Sequence, residues 1–186
     1  MGQIVYSLNV TLRGEPYLMR SSILQSLTPE IKWPPQYRPD NSDVHVVNAL
    51  EMEVPIEAAW NCLIRASEWP SWYPNSANVQ LLGTDKTVLA KGVSFRWKTF
   101  GMTITCTVEE CEPFERLAWS SEQRGMKVYH AWLLEERPKN SSAGCYVRTE
   151  ETQNGFIPKL AAKLMPGKMH KFHQIWLEGL SERAKG

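Results

Sequence analysis

Apolar and polar residues alternate through much of the chain between residues 44 and 153, and a period of two predicts half-buried strands. In VHVVNALEMEV, Leu50, Met52 and Val54 fall on one face and Glu51 and Glu53 on the other. Pro55 then stands where a helix can begin, and IEAAWNCLIRA carries Ile56, Ala59, Trp60 and Leu63 at helical spacing. SEWPSWYPNS predicts one further short helical turn. Trp69 and Trp72, three apart, face the same way, Pro74 ends the turn, and Tyr73 and Asn75 stand at the expected mouth of the fold. Strands come next in close succession: ANVQLLG, GVSFRWKTF, MTITCTVEECE, RLAWSSEQ, KVYHAWLLEE and CYVRTEETQ. With no helices between them, these neighbours pair antiparallel.

The period changes near Ile157. From there to about Ala184 the spacing predicts a long helix whose apolar face runs Leu160, Leu164, Met169, Phe172, Trp176 and Leu180, broken or kinked at Pro166-Gly167. Residues 1–42 differ from the rest of the chain. IVYSLNVTL predicts a short strand, YLMRSSILQSL a weak helical stripe, and KWPPQYRPDNSD, with three prolines among turn formers, a linker. The chain therefore divides into an extension over 1–42, a candidate sheet pad, cavity cover or dimerisation element, and a domain over 43–186. A curved antiparallel sheet crossed by one long helix is an α+β architecture, and a helix bridging the sheet's rim encloses an apolar cavity.

That order resembles the helix-grip fold of the START-like, or SRPBCC, superfamily, and most closely its polyketide cyclase/dehydrase-like branch. The resemblance rests on VPIEAAWNCLIRASEWPSWYP, KGVSFRW, ITCTVEECEPFERLAW, HAWLLEE, the strand ending in EETQNG and the final WLEGL helix, and it spans about residues 44–184. It implies six to seven antiparallel strands wrapped around a long C-terminal helix, two short helices after the first strand, and an internal hydrophobic cavity. Proteins of this kind include lipid and hormone carriers, aromatic polyketide cyclases and co-chaperones, and fold alone does not choose among them.

Composition narrows the choice little. Twenty-one basic against twenty acidic residues leave a net charge of +1, interspersed, so no nucleic-acid partner is expected. The four cysteines form no C-x-x-C pair. Cys106 and Cys111, five apart in one predicted strand, point to opposite faces if alternation holds. No signal peptide is recognisable, Tyr6 stands where a myristoylation pattern wants Ser or Thr, and no stretch approaches the roughly eighteen apolar residues of a membrane span. A cytoplasmic location is the expectation.

Candidate chemistry centres on the aromatic residues and two titratable ones. Eight tryptophans are many for this length. Trp60, Trp72, Trp97, Trp119, Trp132 and Trp176, with Tyr73, Asn75, Phe95, Thr149, Met169 and His173, are the candidate ligand-binding residues, although large rings also serve as core filler. His130 is a candidate general acid or base. Continuing the face of Val147 and Thr149 turns Glu151 inward, where burial raises a carboxyl pKa, and a His130–Glu151 couple on neighbouring strands is geometrically allowed. His170 and His173, three apart on a helix, suit two metal ligands, but no third ligand stands at a familiar spacing, so no metal is expected. No cofactor fingerprint occurs either. The reading is a hydrophobic, aromatic or polyketide-like ligand held in a cavity, with cyclisation or dehydration by His130 and Glu151 as the enzymatic form. A carrier or sensor without chemistry is the alternative, and a co-chaperone-like protein-binding module a further one.

Overall fold

The computed structural model describes residues 4–6, 30–137 and 144–186. Its strands are β1 (Ile4–Tyr6), β2 (Val44–Met52), β3 (Ala77–Leu82), β4 (Ser94–Thr99), β5 (Met102–Glu112), β6 (Arg116–Gln123), β7 (Met126–Glu136) and β8 (Cys145–Asn154). The helices are α1 (Ile56–Ile64), α2 (Phe156–Leu164) and α3 (Lys168–Arg183), with a 3-10 turn over Ala66–Ser71. The strands form one sheet in the order β1-β2-β8-β7-β6-β5-β4-β3. From β2 to β3 every pairing is antiparallel, which makes seven antiparallel strands curved around α3. β1 adds a short parallel edge beside Val44–Val46; the rest of the predicted N-terminal strand, the stripe in YLMRSSILQSL and residues 138–143 lie outside the described residues.

Alternation gives the sheet an inner face of Met126, Val128, His130, Trp132 and Leu134 on β7 and of Cys145, Val147, Thr149, Glu151 and Gln153 on β8, all buried. Alternation fails at one place. A bulge between Val108 and Glu110 adds a residue to β5. Glu109 and Glu110 therefore both face out, to Ser120 and Tyr129, while Cys111 packs against the same core as Cys106. The expectation that the two cysteines face apart is thus corrected.

The Pro-rich segment is no free linker, because 3-10 turns at Pro35–Tyr37 and Pro39–Asn41 lie on the sheet's outer face. Tyr37 is buried against Ala118, Tyr129 and Ala131, its ring 5.4 Å from that of Tyr129. Its carbonyl accepts a hydrogen bond from Thr152 Oγ1 at 2.9 Å.

The C-terminal helix is two helices. Gly167, at φ 75, breaks it in a left-handed conformation that suits glycine. Gly155, at φ 120, turns β8 into α2, and a Cβ there would lie 2.3 Å from the Gly125 carbonyl oxygen. Trp176, Leu177 and Leu180 of α3 enter the core. Leu160 and Leu164, expected on the apolar face, are 43% and 67% exposed, because α2 lies over the sheet's rim rather than in its grip.

Candidate functional site

Two adjoining spaces lie inside the grip. The outer one is an apolar cleft of about 340 Å³ beneath α2, with Ile157, Ala161 and Met169 on the helical side and Val44 and Val46 on the sheet side. The inner one, about 40 Å³, is lined by Tyr73, Trp97, Cys106, Trp119, Trp176, His130, Glu151 and His173. Phe100, Met102, Met126 and Gln153 line both, so the floor of the cleft is the roof of the inner cavity.

The polar centre arises from register. Trp119 on β6 pairs with His130 on β7, which pairs with Glu151 on β8. His130 Nδ1 lies 2.9 Å and His173 Nε2 3.2 Å from one oxygen, Glu151 Oε2. Gln153 Nε2 donates to the other, Oε1, at 2.5 Å. With Nδ1–H of His130 directed at Glu151, its Nε2 accepts the Thr149 hydroxyl proton at 2.7 Å, which fixes tautomer and ring orientation. Burial alone pushes the Glu151 carboxyl up, as the sequence suggested, but the two imidazoles outweigh burial and hold it well below the usual carboxylate range. Burial in turn holds His130 below its ordinary value, against the pull of Glu151. Burial and pairing therefore compete over one proton.

His130, Glu151 and His173 each also offer a metal-ligand atom, and the three atoms lie within 4.8 Å of one another. Two imidazoles and a carboxylate are a donor set suited to a divalent transition metal. The two rings, however, are nearly parallel, 25° apart with centroids at 4.8 Å. Both nitrogens are already taken up by one carboxylate oxygen, Glu151 Oε2, so an ion held by all three groups would have to displace those two contacts. As placed, the cluster fits a shared proton better than a cation.

The aromatic residues divide between packing and lining. Trp69, unassigned from the sequence, is the hub, with ring centroids 5.1–5.8 Å from Phe95, Trp97, Trp119 and Trp176. Its Nε1 donates to the Leu63 carbonyl at 3.0 Å. Trp97, Trp119 and Trp176 line the inner cavity, as does Tyr73, stacked on Trp176 at 4.3 Å and 8°. Phe95 and Trp132 are buried behind this layer, and Trp132 stacks on His130 at 5.5 Å. Trp60 faces Phe114, and Trp72 packs on Gly179; neither borders either space. Asn75, expected at the mouth, is a clamp: it donates to Tyr73 Oη and Thr99 Oγ1 and accepts from the Phe100 backbone N–H. Thr149 acts through His130, and Met169 lines the cleft. Cys106 is no nucleophile, since burial pushes its thiol up to about 12.

Sequence reasoning missed Gln153 and the rim of the cleft. Gln153 was within reach, two residues beyond Glu151 on the same face. Phe100 belongs to a tight turn, where no period marks an inward side chain, whereas Met102 opens β5 on the face of Ile104 and Cys106.

A family model described as polyketide cyclase / dehydrase and lipid transport matches residues 43–185. The chain belongs to that family. A solved structure of a hypothetical protein from Helicobacter pylori is similar over 83% of this chain and 96% of its own, at 34% identity and a TM-score of 0.76. The Zhui aromatase/cyclase of a Streptomyces species superposes over 76% of this chain and 93% of its own, with a TM-score of 0.60 and 12% identity. StfQ, a di-domain aromatase/cyclase of steffimycin biosynthesis, matches over 76% of this chain and 50% of its own, with a TM-score of 0.56 and 14% identity. Both cyclases share the fold with this family member at identities that speak for fold alone. No curated protein matches the sequence.

Proposed function

We propose that this protein binds a hydrophobic, aromatic or polyketide-like small molecule in the cleft beneath α2, with one end reaching the Glu151–His130 pair. The observation that carries the proposal is continuity: an apolar cleft of about 340 Å³ whose floor residues also roof the charged inner cavity. That volume lies at the lower end of small-molecule sites, about 300–1,000 Å³. The inner cavity, at about 40 Å³, admits a reacting tip or water and nothing larger. Family membership supports the same class of ligand.

The chemistry that suits this arrangement is cyclisation or dehydration without a cofactor. Glu151 takes a proton from a carbon between two carbonyls, and the electron pair of that C–H bond attacks a carbonyl carbon further along the chain, whose oxygen takes the proton back from the carboxyl and becomes a hydroxyl. A second proton taken from the carbon beside it leaves its electron pair as a C=C bond, and the carboxyl passes that proton to the departing hydroxyl, which leaves as water. His130 and His173 stabilise the carboxylate between turns, Thr149 holds His130, and exclusion of solvent strengthens each interaction. Incubation of the chain with a linear poly-β-ketone tests this. Wild-type protein yields the cyclised or dehydrated product, and Glu151→Gln retains binding while turnover falls about 10²-fold or more. Unchanged turnover in that variant contradicts the acid–base assignment.

One observation favours a carrier as the second reading. Both Glu151 oxygens are already engaged by protein donors, and the rings around Trp69 close the deep end. Ligand retained unchanged by wild type and variant alike supports it. A protein-binding module has less support, because the segment through Tyr37 covers part of the outer sheet face such a module would present.

A further inference from the structure

Large hydrophobic side chains left exposed are few and unevenly distributed. Six stand out among the described residues: four of them, Met102, Leu160, Leu164 and Met165, line the cleft, and a fifth, Phe156, opens α2 next to the lining residue Ile157. Phe156 and Leu164 are 70% and 67% exposed. Phe156, Leu160 and Leu164 recur every four residues on α2, so they form one outward stripe that runs into the cleft's edge. A cluster of this kind on a globular fold marks an interaction surface.

The charges around it identify the partner. Lys159 and Lys163 fall three and seven residues after Phe156 and border the stripe, and Lys168 and Lys171 lie across the Gly167 break. From residue 152 to residue 177 there is no acidic residue at all, in a chain whose net charge is only +1. Asp43 engages Lys159 at 3.1 Å from the sheet side, while Lys163 has no ion pair among the described residues. A second copy meeting this face would set lysine against lysine. An apolar stripe between lysines instead matches the boundary of an anionic bilayer, with acyl chains under the stripe and phosphates beside the amines.

We infer that α2 and the adjoining β4–β5 turn dock on the surface of an anionic phospholipid membrane, with the helix lying in the interface. The protein does not cross it by a helix, since none among the described residues is long and apolar enough to span a bilayer. Docking brings the mouth of the cleft to the lipid boundary, so an apolar compound passes between bilayer and cleft without crossing water. The glycines at both ends of α2, Gly155 and Gly167, adopt positive φ and bound the helix as a separate rigid piece. The docking face stands whether or not Glu151 and His130 perform chemistry.

Flotation of the full chain with vesicles tests the inference. One set is phosphatidylcholine alone, and in the other about one third is phosphatidylglycerol, the anionic lipid on which the lysines act. The chain is expected to float with the anionic set, less so as salt rises, and to remain largely free of the neutral set. Lys163→Gln weakens binding about fivefold, the effect of one basic residue near such a surface. The double substitution Phe156→Ser and Leu164→Ser weakens it tenfold or more, with an unchanged thermal midpoint because both side chains are already exposed. Absence of wild-type flotation, or equal flotation of the double variant, overturns the inference. So does a concentration-dependent dimer that the double variant abolishes, since the face would then belong to a second copy.

Discussion

The two ends of the interior are built differently. At the deep end, beside the 3-10 turn, Trp69 touches four aromatic rings and donates its indole N–H, and Trp69, Tyr73 and Trp176 are each 1% exposed or less. At the other end, beneath α2, the walls are mostly Met, Leu, Ile, Val and Ala, with Phe100 at the floor, and a cleft of about 340 Å³ remains. The rings thus close one end of the grip and leave the other to flexible aliphatic side chains, which adapt to a guest more readily than stacked indoles do. A wealth of tryptophan in a sequence marks where such a fold is rigid; the proposed binding space begins where the indole rings run out.

The largest expected effect lies at the packed end. Trp69→Ala removes the hub and is expected to cost about 3–5 kcal/mol, measured by urea denaturation. A loss under about 1 kcal/mol would show the ring cluster to be loose and erase the contrast. Gly179→Ala comes next, since its Cβ would lie 2.8 Å from the Trp72 carbonyl oxygen, where α3 meets the turn. About 1–3 kcal/mol is expected. Acidification tests the boundary between the two ends. The folded-state pKa values of His130 and Glu151 both lie below their ordinary values of 6.5 and 4.5, so the unfolded chain binds more protons as pH falls through each. Stability is therefore present above about pH 6.5 and lost in steps below it, and His130→Gln should flatten the upper step in a urea series. The smallest effect belongs to the open end: Leu164→Ala should change stability by less than about 0.5 kcal/mol, because that side chain is already 67% exposed.

The sequence made the packed parts legible and the open parts less so. Alternation placed His130 and Glu151 on the inner face, and the register sets them opposite each other. It assigned the wrong parity to Cys111, since a bulge shifts every later residue of a strand and no local residue type in VEECE announces it. Helical spacing grouped Leu160 and Leu164 with Trp176, yet a periodic stripe says only that a helix has an apolar face, not that the fold covers it. The Pro-rich segment read as a linker because its order comes from tertiary contacts, Tyr37 on Tyr129 above all. The direction of the Glu151 shift depends first on His130, its register partner, and then on His173, which sits on a helix 22 residues away and reaches the carboxylate only in the folded chain.

The most direct test of a binding space beneath α2 is a plug. Ala161 is exposed and lines the cleft, so Ala161→Trp fills the space without disturbing the rings of the deep end. Titration with an apolar fluorescent probe is predicted to show saturable binding to the wild type and at least about tenfold weaker binding to this variant, at the same thermal midpoint. Equal affinity for the two proteins would place the ligand elsewhere and contradict the assignment of the cleft.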